Sequence, residues 1–179
     1  MATSLSLVIL SAFYGPKDVT TALQKLVDAS TQSLTLTNKP GDYNKFFTDT
    51  WPGVQKSLSG VYQYTGSNPQ AFVSAEASDP VSIHPSTTNV TTGTFPPPSG
   101  VSGVKILAII YGRYVVGSHA LYNNLYPIVK DGKTFNVGNG EVGADTWYGV
   151  VKTLAVYYTK DGVSGVQGRA GQEYKTIVF

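Results

Sequence analysis

Apolar residues fall into two different rhythms along this chain. Leu5–Tyr14 and Val104–Tyr111 are apolar at nearly every position, which predicts strands buried on both faces between layers. Lys56–Tyr64 alternates instead, with Leu58, Tyr62 and Tyr64 on one side and Ser57, Ser59, Val61 and Gln63 on the other. Lys152–Thr159 sets Leu154, Val156 and Tyr158 against Thr153, Ala155 and Tyr157. Both read as alternating strands. Ser33–Thr37, Ala71–Ser74, Val81–Ile83 and Tyr174–Phe179 predict shorter strands. Two stretches carry a helical period. Asp18 is placed to cap a short helix in which Ala22, Leu23, Leu26 and Val27 share a face. Ser118–Tyr126 spaces Leu121 and Leu125 one turn apart, and Pro127 is expected to end that helix.

The same order of signals occurs twice. Asp49-Thr50-Trp51-Pro52-Gly53-Val54-Gln55-Lys56-Ser57-Leu58 returns as Asp145-Thr146-Trp147-Tyr148-Gly149-Val150-Val151-Lys152-Thr153-Leu154, identical at 7 of 10 positions at an offset of 96. Ile9–Gly15 pairs with Ile106–Gly112 at an offset of 97, and Ser33–Asn38 corresponds to Thr134–Asn139. Three blocks in one order predict two diverged copies of a single β-rich module. The expected fold class is all-β with minor α: a tandem pair of antiparallel β-sandwich modules, each with one short helix. Copy 1 spans 1–84 and copy 2 spans 101–179. The segment 85–100 between them is rich in Thr and contains Pro96-Pro97-Pro98. It reads as a linker with a stiff polyproline end, or alternatively as an ordered loop docked through Phe95.

Composition narrows the chemistry. The chain has no cysteine, which removes disulfides, thiolate nucleophiles and Cys-ligated zinc together. Each half has about 80 residues, a size at which a lone core is marginal, so the halves are expected to pack on each other or on a second chain. Charged residues make up 13% of the chain and the formal net charge is +2. Lysines stand singly, and phosphate backbones need clustered cations, so nucleic acid is not an expected partner. Leu5–Tyr14 lacks the charged start of a signal peptide and repeats mid-chain as Val104–Tyr111, so it is read as a strand. No apolar run reaches the roughly 18 residues of a membrane span. The expected location is the cytoplasm, or outside the cell by an unconventional route.

Tyr14-Gly15, Asp18-Val19-Thr20, Ala22-Leu23-Gln24, Leu26-Val27, Leu34, Leu36, Lys39, Phe46-Phe47, Asp49, Gly53, Lys56, Leu58, Tyr62-Gln63-Tyr64 and Ile83-His84-Pro85 stand in that order in copy 1. This series resembles the β-rich domain at the C-terminal end of a mitochondrial DnaJ homologue. The resemblance covers about Tyr14–Pro85. The His-Pro-Asp signature of a J domain is absent from the sequence, the family's Asp-Pro turn is Asp49-Thr50 here, and copy 2 lacks Asp-Val-Thr. The resemblance therefore implies an accessory or protein-interaction β domain and transfers no catalytic residue.

The repeated block is the leading candidate for a site. Trp51 and Trp147 could stack on the apolar face of a sugar while Asp49 and Asp145 accept its hydroxyls, with Lys56 and Lys152 beside them. The competing reading makes both indoles plugs at the ends of their sheets and both aspartates turn caps. Tyr62 and Tyr158 are further ligand candidates, because Tyr-rich surfaces give adaptable contacts, although tyrosine also suits half-buried strand positions. His84 and His119 occupy non-equivalent places, and Glu76, Glu141 and Glu173 look isolated. No nucleophile elbow, zincin helix or Walker loop is present. Asn89-Val90-Thr91 matches a glycosylation sequon but sits in a Thr-rich stretch that produces such matches by chance. The expectation is a non-enzymatic, lectin-like binding protein with no metal and no cofactor. Its partner would be a glycan or a protein, with two modules raising avidity. The alternatives are a structural, protein-interaction or homo-oligomerisation module, and a hydrolase with an unrecognised site.

Overall fold

The computed structural model describes residues 5–37, 42–76, 79–86 and 89–179. Lys39 of the resemblance and Thr87 and Thr88 of the connecting segment lie outside them. In the first half, β1 (Leu7–Tyr14) turns into β2 (Lys17–Asp18) and then α1 (Thr20–Gln24). β3 (Leu34–Leu36), α2 (Asp42–Phe47), β4 (Ser57–Tyr64), β5 (Gln70–Ala75) and β6 (Val81–Ile83) follow. A short β7 (Val90–Thr91) lies in the connection. The second half then runs β8 (Val104–Tyr111), β9 (Tyr114–Val115), α3 (His119–Asp131), β10 (Thr134–Asn136), α4 (Asn139–Val142), β11 (Thr153–Lys160), β12 (Val163–Gln172) and β13 (Thr176–Val178).

Element order and strand pairing agree between the halves. The first carries a sheet in the order β2-β1-β4-β5-β7 and a ribbon β3-β6; the second carries β9-β8-β11-β12 and a ribbon β10-β13. All pairings are antiparallel. The class is all-β with minor α, as the alternation predicts.

The layering is more specific than the expectation. Each half is one sheet with helices and a ribbon on a single face, and the sandwich forms between the two halves. Leu7, Ile9, Ala12 and Tyr14 of β1 enter a core with Leu23 of α1 and Leu34 and Ile83 of the ribbon. Ile106, Ile109 and Tyr111 of β8 enter the matching core with Leu121, Leu125 and Val129 of α3 and Phe135 and Ile177 of the ribbon. A third core joins the sheets: Phe13, Val61 and Ala71 meet Leu107, Ala108, Ile110, Ala155 and Tyr157. Two covered faces explain why β1 and β8 are apolar at nearly every position. At this junction the Ser59 and Tyr157 hydroxyls lie 2.8 Å apart, both buried, so these two polar groups satisfy each other. Gly168 lets β12 approach β1, since a Cβ there would sit 2.5 Å from the Phe13 ring.

The connection between the halves is docked. β7 adds to the outer edge of β5, Gly93 N donates to Leu107 O at 2.8 Å, and the Phe95 ring lies 4.7 Å from Tyr122 and 5.6 Å from His119. The Tyr126 hydroxyl donates to Phe95 O at 2.8 Å.

Three local expectations are corrected. Among the described residues each half carries two helices rather than one. Pro127 lies inside α3, which continues to Asp131 and ends on left-handed Gly132 (φ 67); the buried Leu125, Tyr126 and Val129 offset the single helical bond that proline removes. The strand expected from Tyr174 starts only at Thr176, because Tyr174 turns the chain at φ 66. β12 escaped the reading because Val-Ser-Gly-Val-Gln-Gly-Arg-Ala-Gly-Gln has few large apolar groups.

A candidate site of paired lysine-locked loops

The repeated block forms the turn that leads into β4 and into β11, and each copy closes around its lysine. Lys56 is 2% exposed and Lys152 is 3% exposed. Lys56 Nζ lies 3.0 Å from Asp49 Oδ1 and 3.3 Å from Glu76 Oε2. It donates to Val54 O at 2.9 Å and Trp51 O at 3.4 Å. Lys152 Nζ lies 3.0 Å from Asp145 Oδ1 and 3.2 Å from Glu173 Oε2. It donates to Val150 O at 3.0 Å and Trp147 O at 3.4 Å. The same ammonium groups sit over Tyr14 at 5.3 Å and Tyr111 at 5.5 Å, a cation–π geometry. The Lys56 N–H donates to Glu76 Oε2 and the Lys152 N–H to Glu173 Oε2, each at 3.1 Å.

Each part of this knot has a local cause. Asp49 Oδ1 also accepts from Trp51 N at 3.0 Å, and Asp145 Oδ1 from Trp147 N at 3.2 Å, the Asx turn that such a residue favours. Gly53 (φ 77) and Gly149 (φ 75) supply the left-handed step that closes each loop. The Lys56 and Lys152 hydrogen bonds hold the Asp49 and Asp145 carboxyls below the usual range. Burial, followed by the neighbouring Glu76 and Glu173, pushes the Tyr14 and Tyr111 phenols up. Those phenols donate to Asn44 Oδ1 of α2 at 2.7 Å and Asn139 Oδ1 of α4 at 2.9 Å, so the knot ties sheet, loop and helix together.

The two loops lie side by side. Gly53, Val54 and Gln55 face Gly149, Val150 and Val151 across a cleft of about 290 Å³. Trp51 and Trp147 are partly exposed, with the Arg113 guanidinium 5.8 Å from the Trp147 ring, and Tyr148 beside them is 93% exposed.

The remaining sequence candidates are placed elsewhere. Lys56 and Lys152 have their donors occupied by the chain's own oxygens and serve the loop. Tyr62 is buried, its hydroxyl bonded to Gln70 and Asn89. Tyr158 is buried against the Phe179 ring at 6.0 Å. His119 stacks on Phe95 at the helix start, and His84 follows β6 without joining the knot. Glu76 and Glu173, isolated in sequence, are the second carboxylates of the two knots. Their offset of 97, shared with Tyr14 and Tyr111, was the available signal. Asn44 and Asn139 sit 95 apart in otherwise dissimilar stretches and left none. Comparison with protein-family models, curated proteins and solved structures gives no significant match for this chain.

Proposed function

We propose that the chain is two diverged copies of one unit and works as a non-catalytic binding protein, with carbohydrate as the ligand class and the paired loops as the site. The observation that carries this reading is the juxtaposition of two rigid, equivalent loops across one cleft. Trp51, Trp147 and Tyr148 belong to the same loops, outside the residues that line the cleft, and offer apolar ring faces with a polar handle. Asp49 and Asp145 direct one oxygen to lysine and the Trp N–H, which leaves Oδ2 of each to accept a sugar hydroxyl. Each loop lysine is taken up by the chain's own oxygens, so neither offers a free cation to an anionic ligand, and a neutral polyhydroxyl ligand suits the loops better. A glycan array followed by titration of the best hit tests this. Trp51→Ala, Trp147→Ala and Tyr148→Ala should each weaken binding with the fold intact; an array with no hit, or three unaffected variants, would remove the site.

A second reading, association with a protein or a second copy, draws on a different observation. The outer edge of β5 is covered by β7, whereas among the described residues no strand pairs with the outer edge of β12. Open edges invite strand addition, in keeping with the DnaJ-homologue resemblance. Light scattering with a strict monomer at high concentration would count against it.

A further inference from the structure

Residues 136–141, which lead from β10 into α4, and 173–176, which lead from β12 into β13, border a pocket of about 390 Å³. Its walls are tied by backbone hydrogen bonds: Val137 N donates to Lys175 O and Tyr174 N to Val137 O, each at 2.8 Å. Tyr174 turns the chain at φ 66 and keeps its side chain 78% exposed.

Glu173 of the Lys152 knot also lines this pocket, and only half of its carboxylate is used. Oε2 takes the Lys152 ammonium at 3.2 Å and the Lys152 N–H at 3.1 Å. The buried Oε1 has no hydrogen-bond partner among the described residues. The Tyr111 phenol, pushed up by burial and then by Glu173, gives its proton to Asn139 Oδ1 at 2.9 Å rather than to Glu173. A buried acceptor without a donor is destabilising, more so on a charged group. The knot also sets one cation, Lys152, against two carboxylates, Asp145 and Glu173, so formally it holds one negative charge in excess. Glu141 adds another carboxylate. It lines the pocket, is exposed, and makes no ion pair among the described residues. It lies over Gly138, where a Cβ would sit 2.5 Å from Glu141 Oε2.

Excess negative charge favours a cation, and an unpartnered acceptor favours one that carries N–H donors. A divalent metal takes about six or more oxygens, and no group of three or more acidic or histidine side chains gathers among the described residues. A guanidinium grips both oxygens of a carboxylate, whereas Glu173 has only Oε1 to give. A primary ammonium carries three separate donors, which one oxygen of Glu173 and the Glu141 carboxylate can share. We infer that this pocket binds the primary ammonium head of a small ligand, held between Glu173 Oε1 and Glu141. The site shares Glu173 with the knot but uses none of the loop aromatics, so it is independent of the carbohydrate reading.

Titration of ¹⁵N-labelled protein with D-glucosamine and with Nα-acetyl-lysine amide tests the inference and separates two sources of the head, an amino sugar and a lysine side chain. With either compound, amide shifts should centre on residues 136–141 and 173–176 and leave 53–55 and 149–151 unmoved. N-acetylglucosamine keeps the ring without the charge, and the ε-trimethylated lysine compound keeps the charge without the donors. Neither should move the pocket amides. Glu141→Gln, a surface change, should weaken the amine about threefold at unchanged thermal stability. Lys175→Gln, which removes an opposing exposed cation from the pocket wall, should strengthen it about twofold. No shift with either amine, shifts centred elsewhere, an equal response to the trimethylated compound, or equal affinity in Glu141→Gln would each overturn the proposal. So would saturable binding of calcium ions at these amides without any response to the amines, which would assign the carboxylates to a metal instead.

Discussion

The two halves agree in element order, in strand pairing and in the lysine knot at the end of their sheets, and differ in helix length and at the sheet edges. In both, one ammonium holds two carboxylates and two loop carbonyls at distances that match within 0.1 Å. By contrast, α1 has 5 residues and α3 has 13. One outer sheet edge is covered by β7 and the other is open. The knot tolerates little change because a buried charge needs every one of its partners, while a helix length or an edge can vary against solvent. The Asp-Thr-Trp-x-Gly-Val-x-Lys block is thus first a solution to folding, and its outward aromatic groups are free to take on recognition.

Breaking the knots should give the largest effects. Removing one partner from a buried ionic cluster costs about 3–5 kcal/mol, so Lys152→Met and Lys56→Met should both lower the denaturant midpoint steeply. Lys152→Met should cost more, because the Glu173 side chain is 2% exposed whereas that of Glu76 is 10% exposed and can take up water. Equal losses would mean that burial of the second carboxylate does not set the difference.

The junction between the halves ranks next. Tyr157→Phe leaves the buried Ser59 hydroxyl without its partner, a loss of about 1–3 kcal/mol in chemical denaturation. An unchanged midpoint would show that the sheets pack without that pair. Phe95→Ala should cost about 1–2 kcal/mol through lost burial and release the connection from α3, visible as faster amide exchange around Gly93.

The knots also set the pH response. The Asp49 and Asp145 carboxyls titrate below their unfolded value of about 3.9, so their contribution is complete above it and drains as pH falls through the lower folded values. The Tyr14 and Tyr111 phenols titrate above their unfolded value of about 10, so their contribution is complete below it and is lost as pH rises beyond it. Melting temperature against pH should therefore hold a plateau and fall on both sides, and Lys56→Met should flatten the acid side. Smallest of all is Tyr148→Ala: at 93% exposure it should move stability by less than about 0.5 kcal/mol while still weakening a ligand on the loops.

Much of the fold was legible because period and repetition are local signals. The alternation in Lys56–Tyr64 and Lys152–Thr159 marks β4 and β11, and the continuous apolar runs mark β1 and β8. Layer pairing was not legible, since an apolar face does not say which other face covers it; Phe13 and Leu107 look like any strand residues until the sheets meet. β12 was silent because glycines that allow close approach, such as Gly168, remove the pattern that would announce a strand. At the candidate site the sequence named Asp49, Trp51 and Lys56 with their counterparts, but the closing residues Glu76 and Glu173 stand 20 and 21 residues beyond the lysines, just past the ends of β5 and β12, and become neighbours only on folding.

Lysine ammonium proton exchange, followed by NMR at neutral pH, tests enclosure of the knots in both halves at once. The Lys56 and Lys152 Nζ protons should exchange the slowest of all the lysines, each signal vanishing in its own Met variant while the other persists. Exchange of either at the rate of a surface lysine such as Lys105 would contradict the account.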